Sequence, residues 1–382
     1  MNKMKKFADK YFLRANEILK AEGLNPWVNM QVFVRKGPGR IAGIDEAVDI
    51  IIQNSDIEKV RGRIYAKREN GLYAPKETVM NIIAPVQEIM ELETVYVGVI
   101  TSATTLENDK RDIDLDEIRR NVEQVVELAG ERPVFYFGAR HWHYNMDRVI
   151  SKAAFAGGVR ECSTDEGAEA AGKKGVGTIP HALENVYAYY YGKELAVALS
   201  TKAFDRYMDR GIPRVALVDY ANREITDTVS TIGILKANRS YETSLDAVRV
   251  DTCGENIAEG GIAYDGRDYW TGTGVTVAAV AGLRKAIDRT GNNVGIMLSS
   301  GFSNPDKVKS FNEGENYFRT KLYDGIGAGF FDNARCGTAD IIAVGESIQE
   351  VDFYADSGIP ERNIVHKVGR PPQLSRSLDR IL

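Results

Sequence analysis

Apolar residues recur at three- and four-residue spacing over residues 7–21 (Phe7, Tyr11, Phe12, Ala15, Ile18, Leu19), which predicts a helix. Val28 to Val34 then alternates apolar with polar positions and predicts a strand. Pro38-Gly39 predicts a turn and Ile44 to Ile52 a short helix. Val60–Lys67 and Met80–Met90 read as further strands, with Asn70-Gly71 as a tight turn between them. Strands and helices mixed in this way predict an α+β sandwich over residues 1–112.

The charged cluster Asn108-Asp109-Lys110-Arg111-Asp112 marks a change of pattern. From Asp114 onward a helical stretch is followed by a strand, repeatedly. The helices fall at Leu115–Leu128, Val149–Ala156, Ser163–Ala171, a stretch ending near Met208, Thr228–Ala237, Gly274–Asp288 and Pro305–Phe311. The strands fall at Val134–Phe137, Val176–Thr178, Val215–Val218, Ala247–Val250, Val294–Leu298 and Leu322–Ile326. This alternation predicts parallel βαβ units, and six or seven of them fit an irregular (β/α) barrel over 113–345. No GxGxxG follows the first strand, which weighs against an open dinucleotide-binding sheet. Residues 346–382 hold Pro360, Pro371 and Pro372 with a basic tail through Arg370, Arg376 and Arg380, and are too few for a domain of their own.

The strand ends carry the chemistry. Phe137-Gly138-Ala139-Arg140, Gly177-Thr178-Ile179-Pro180-His181, Asp219, Arg249-Val250-Asp251-Thr252, Ser299-Ser300-Gly301 and Gly325-Ile326-Gly327-Ala328-Gly329 each close a short apolar run. Polar and glycine clusters at such positions are where a parallel barrel builds its site. Ser299, Ser300 and Gly301 precede Asn304-Pro305, a normal helix start, so small residues there offer backbone N–H groups to an anion. Gly325, Gly327 and Gly329 form a second small-residue loop, and together these predict a phosphate cradle. Asp219 and Asp251 can accept ribose hydroxyls or hold Mg²⁺ through water. His181 can accept a phosphate or donate to one, with Lys173 and Lys174 nearby. His141 and His143 flank Trp142 but lack a third ligand, so a zinc site is not predicted.

In order and residue type these clusters resemble the nicotinate phosphoribosyltransferase family (type II phosphoribosyltransferases, related to the quinolinate and nicotinamide enzymes), from near Tyr11 to about Gly345. The resemblance implies transfer of the phosphoribosyl group of phosphoribosyl pyrophosphate to nicotinate, with Mg²⁺, and in some members with ATP that phosphorylates the histidine matching His181. It implies that Phe137 stacks on the pyridine and Arg140 lies near base and phosphate, and that Arg249 and Asp251 meet phosphate and ribose. Thr178 lies in the Gly-Thr-x-x-His motif, and Tyr11 reaches into a neighbouring barrel in a homodimer or an assembly of dimers. It also implies that the C-terminal segment packs on the N-terminal domain. Three positions depart from the family: His141 stands where many relatives have a second arginine, Tyr220-Ala221-Asn222 follows Asp219, and Arg160 stands where relatives place an acidic or small polar residue near the base. A cation at 160 disfavours nicotinamide and keeps quinolinate phosphoribosyltransferase as an alternative. A non-catalytic nucleotide-binding relative is another. An aldolase-like barrel would show a lysine at a strand end, and none is present here.

Composition narrows the partners. Hydrophobic content of 43% and charged content of 27% are ordinary for a globular chain. A net charge of −5 opposes non-specific nucleic-acid binding, so an anionic substrate must be met by local cations. The three cysteines form no CxxC pair and no disulfide framework. The charged N-terminus lacks an apolar h-region, and no apolar run approaches the roughly 18–20 residues of a membrane span, so a cytoplasmic location is expected.

Overall fold

A computed structural model describes residues 3–236, 243–331, 333–355, 358–375 and 377–382. Ala237, at the end of one predicted helix, and Arg376 of the basic tail lie outside the described residues. The chain opens with α1 (Lys10–Glu22), whose buried Phe12, Ala15, Ile18 and Leu19 repeat at helical spacing and which stops at Gly23 in the left-handed region. Then follow β1 (Trp27–Val34), β2 (Gly39–Arg40), α2 (Ile44–Asn54), β3 (Arg63–Ala66), β4 (Leu72–Tyr73), β5 (Thr78–Pro85), α3 (Val86–Ile89) and α4 (Glu93–Asp109). The strand expected over Met80–Met90 ends at Pro85, which lacks a ladder donor and leads into α3. Helix α4 is buried along most of its length, because it lies between the N-terminal sheet and the barrel.

The parallel half begins with α5 (Leu115–Ala129), capped by Asp114, whose carboxylate accepts from Asp116 N–H and Glu117 N–H at 3.0 and 2.9 Å. Such a cap contributes about 1 kcal/mol. Ile118, Val122, Val125 and Ala129 form the buried stripe, and an aliphatic side chain fully buried there contributes about 1.5–3 kcal/mol. After it come β6 (Val134–Tyr136), α6 (Asp147–Ala156), β7 (Glu161–Cys162), α7 (Asp165–Glu169), α8 (His181–Tyr191), α9 (Ala196–Tyr207), β8 (Val215–Leu217), α10 (Glu224–Lys236) and β9 (Ala247–Val250). Next are α11 (Val277–Arg289), β10 (Gly295–Leu298), α12 (Pro305–Phe318) and β11 (Gly325–Ala328). The six barrel strands pair in the order β7-β6-β11-β10-β9-β8, all parallel. The sheet is a curled half-barrel with β7 and β8 as its edges.

The strand expected at Val176–Thr178 is an irregular segment in that opening. Val176 N–H donates to the Cys162 carbonyl on β7 at 2.9 Å, and the Thr178 hydroxyl donates to the Val215 carbonyl on β8 at 2.8 Å. Two single bonds to opposite edges span the gap without a ladder.

The chain then returns. β12 (Gly337–Gly345) and β13 (Asp379–Arg380) join β1, β5 and β3 in an antiparallel sheet ordered β12-β1-β5-β3-β13. The range 113–345 read as barrel therefore ends in a strand of the other sheet. Between β12 and β13 the segment 366–373 passes over the barrel mouth. Val368 N–H donates to the Tyr220 carbonyl at 3.0 Å and Gln31 on β1 bonds Pro371 O and Gln373 N–H at 3.1 and 3.0 Å. The fold is thus an irregular parallel (β/α) barrel with an N-terminal α+β domain that the C-terminal segment completes.

Candidate active site

The barrel mouth, the α1 end, β1, β12 and the 366–373 segment enclose a cavity of 660 Å³. Of the residues expected from sequence, Tyr11, Phe137, Arg140, His181, Arg249, Asp251, Ser299, Ser300, Gly301, Gly327 and Gly329 line it. Apart from His181, which opens α8 after the irregular segment, the barrel members sit at or just past the C-terminal ends of their strands, as parallel sheets place their sites.

One corner is built around a fully paired carboxylate. Asp219 is buried; its Oδ1 faces His181 Nε2 at 3.0 Å and its Oδ2 accepts from Lys367 Nζ. Burial alone would raise the Asp219 carboxyl, yet Lys367 and then His181 outweigh it and hold it well below its ordinary value. The same surroundings act on the imidazole: burial first, then the Lys367 ammonium, lower the pKa of His181 and keep it neutral. Lys367 goes up, because Asp219 and Asp251 overcome its desolvation. Lys367 arrives from the C-terminal segment, far away in sequence, and sequence reasoning missed it.

A second corner centres on Arg140. Its Nη1 reaches the Tyr11 hydroxyl at 3.3 Å, and that hydroxyl donates to Asp9 Oδ2 at 3.0 Å. Tyr11 therefore lines its own chain's cavity. Helix α1 docks at the mouth through Lys10 N–H to the Ser163 carbonyl at 2.7 Å, leaving Tyr11 pointing inward. Arg249 lies over the Phe137 ring at 5.9 Å. Burial first, then Arg140 and Arg35, push His141 down to about 3, so it is neutral.

The 299–303 loop leads into α12, capped by Asn304 with Pro305 in the first turn. Ser300 and Gly301 adopt positive φ, 67° and 82°. The Ser299 hydroxyl bonds Asp251 Oδ1 at 2.9 Å, and Lys307 Nζ donates to Ser300 O at 2.8 Å. Burial draws Lys307 down to about 8. Two expectations, at Gly325 and Arg160, are corrected nearby. Gly327 and Gly329 are small because side chains cross them: a Cβ on Gly327 would overlap the Phe137 ring and one on Gly329 the His141 ring. Gly325 is buried against Met297 and does not line the cavity. Arg160 is exposed on the outside of the barrel, because its N–H is bonded to Val134 O next to the β6–β7 pair.

Thr178 is occupied with Val215 and is absent from the lining. Asp219 lies behind it, with both oxygens engaged, so the chemistry of its donors does not fit a direct Mg²⁺ ligand. Asp251 does line the cavity, and Ser299 engages only one of its oxygens. Among the described residues no cluster of three or more His, Cys, Asp or Glu could hold a metal by protein ligands alone. Arg35, Lys36, Glu93, Asp340 and Arg370 also line the cavity and were not expected.

Comparison with known proteins agrees with this architecture. Residues 9–104 match the family model described as quinolinate phosphoribosyl transferase, N-terminal domain. A nicotinate phosphoribosyltransferase structure from Vibrio cholerae shares the fold at a TM-score of 0.63 and 12% identity, covering 91% of this chain and 87% of that one. One from Porphyromonas gingivalis gives 0.59 and 12%, covering 89% and 90%. No curated protein matches the chain in sequence. The fold is that of the type II phosphoribosyltransferases. Within this phosphoribosyltransferase fold, the cavity described above occupies the barrel mouth. Among the described residues no helix is long and apolar enough to cross a membrane.

Proposed function

We propose that the chain is a nicotinate phosphoribosyltransferase, forming nicotinate mononucleotide and pyrophosphate from nicotinate and phosphoribosyl pyrophosphate. The observation that carries this reading is the charge of the cavity. Arg35, Lys36, Arg140, Arg249, Lys367 and Arg370 line it against three acids, Glu93, Asp251 and Asp340, in a chain of net charge −5. Burial raises Glu93 well above the ordinary carboxyl range against the opposing pull of Arg140, which leaves it neutral and the cationic excess larger. A polyanion with a phosphate at one end and a pyrophosphate at the other fits such a lining, and Phe137 and Tyr11 offer aromatic surface for a flat ring.

In this reading the pyridine nitrogen attacks C1 of the ribose, the C1–O bond to pyrophosphate breaks, and the pyrophosphate leaves with the electron pair. Positive charge grows at C1, so Asp251 near the ribose stabilises the transition state more than the ground state. Mg²⁺, where bound, offsets the charge of the departing pyrophosphate, and Asp251 would hold it. With Nε2–H given to Asp219, neutral His181 keeps the Nδ1 lone pair, which fits an acceptor of phosphate from ATP; to donate to a phosphate oxygen the ring would have to take up a proton. The nicotinate structures that share the fold support the base assignment, while the N-terminal family match favours quinolinate as the second reading. Turnover of phosphoribosyl pyrophosphate with nicotinate, nicotinamide and carboxyl-labelled quinolinate separates them. Mononucleotide from nicotinate without label release is expected. Label release as carbon dioxide from quinolinate would assign the other reaction.

A further inference from the structure

Among the described residues, Glu93 is the one acid lining the cavity with neither a hydrogen bond nor an ion pair. It opens α4, where no other charge follows until Glu107. It is 6% exposed and lines the cavity. Among the described residues no group hydrogen-bonds its carboxyl. The head of α4 is fixed from two sides, which sets where Glu93 meets the cavity. Asp9 N–H donates to Thr94 Oγ1 at 2.9 Å, and Thr94 Oγ1 donates to Asp9 Oδ2 at 3.0 Å. Further along, Gly98 lies against the Trp142 carbonyl, which a side chain there would overlap, with the Ala139 carbonyl in contact beside it. The residues flanking Arg140 are thus packed directly on this helix.

A buried polar group with no partner is costly, and native structures keep one where a ligand completes it. The charged and titratable groups around Glu93 are Arg140, Asp9, Tyr11, Tyr96 and Asp340. An ionised Glu93 would pair with Arg140 and close this corner; instead the Arg140 guanidinium bonds the Tyr11 hydroxyl. A neutral carboxyl offers one O–H donor and one carbonyl acceptor, and leaves the charge of Arg140 uncommitted. A carboxylate on a bound ring would take both the O–H of Glu93 and the cation of Arg140. A ring amide could satisfy Glu93 but would leave the buried cation facing a neutral group.

We propose that Glu93 is a specificity-determining residue of this site, donating a hydrogen bond to the ring carboxylate that Arg140 holds by charge. The proposal rests on the pyridine-base reading above. The test uses Glu93→Leu and Glu93→Gln in the full chain, with folding checked by thermal melting. Leu removes the donor at similar volume. Its KM and calorimetric Kd for nicotinate should rise about tenfold, the loss of one hydrogen bond to a charged group, with kcat unchanged. Gln keeps a donor and cannot ionise, so its KM should stay near the wild-type value. Wild-type KM for nicotinate should also rise at alkaline pH as Glu93 ionises, and the Gln variant should lack that rise. A Leu variant with wild-type KM, or a Gln variant as impaired as Leu, would overturn the proposal. Wild-type protein that binds nicotinate but makes no mononucleotide would refute the reaction instead, and the Kd comparison would still judge Glu93. Absence of nicotinate binding to the wild type would overturn both.

Discussion

The two corners of the cavity hold similar residue types in opposite states of completion. Asp219 itself is fully paired, both carboxylate oxygens being taken by His181 and Lys367, while the nearby Glu184 is buried with no hydrogen-bond partner among the described residues. Around Arg140 the guanidinium bonds a phenol and Glu93 bonds nothing. With both oxygens taken, Asp219 cannot take up a ligand without losing its own bonds, so it positions His181 and Lys367 at the cavity. An open set gains by taking one, so the Arg140 corner binds. The lesson is that the exposed count of charged residues says less about binding than the number left incomplete.

The largest test of that contrast is Lys367→Met. Removing one member of a buried pair leaves the other unpaired and destabilises by about 3–5 kcal/mol, measurable by denaturant unfolding. The sign with pH is defined. Lys367 is raised in the fold, so its contribution is full below the unfolded lysine pKa of about 10.4 and fades as pH rises through the higher folded value. Asp219 is lowered, so its contribution is full above about 3.9 and fades as pH falls toward the folded value. In the variant, Asp219 is buried without its cation, and its deficit should shrink in acid as it takes up a proton. A double change to Lys367→Met with Asp219→Asn should recover much of the stability. No recovery would mean that Lys367 acts through other contacts of the C-terminal segment.

A smaller effect belongs to the open corner. Gly327→Val would displace the Phe137 ring, an overpacking cost of about 1–3 kcal/mol. The account expects a raised KM for the pyridine base with the affinity for phosphoribosyl pyrophosphate kept. Calorimetry showing the reverse would return Gly327 to the phosphate cradle.

Much of this was legible in the chain. Phe137, Arg140, Arg249, Asp251 and Ser299–Gly301 were found because strand ends in a parallel barrel face one mouth, so local pattern fixes their placement. Gly327 lines the cavity as expected, but a sequence shows a small residue and not which side chain crosses it. Arg160 was misplaced because a strand only two residues long, Glu161–Cys162, follows it and carries no alternation to set its face. Lys367, Arg370 and Arg35 were missed because the C-terminal return and β1 bring them in over long range. Glu93 did carry a signal, as the lone charge heading an uncharged helical stretch from Thr94 to Leu106.

Both corners belong to one chain, since Tyr11 meets Arg140 and Lys367 meets Asp219 within the same molecule. Mixing Tyr11→Ala protein with Asp251→Asn protein, each inactive alone, tests this most directly, with subunit exchange verified by two affinity tags. The account predicts that no activity returns, because each site takes both residues from its own chain. Recovery of up to about half of wild-type activity per mixed pair, the yield of a two-fold shared site, would contradict it.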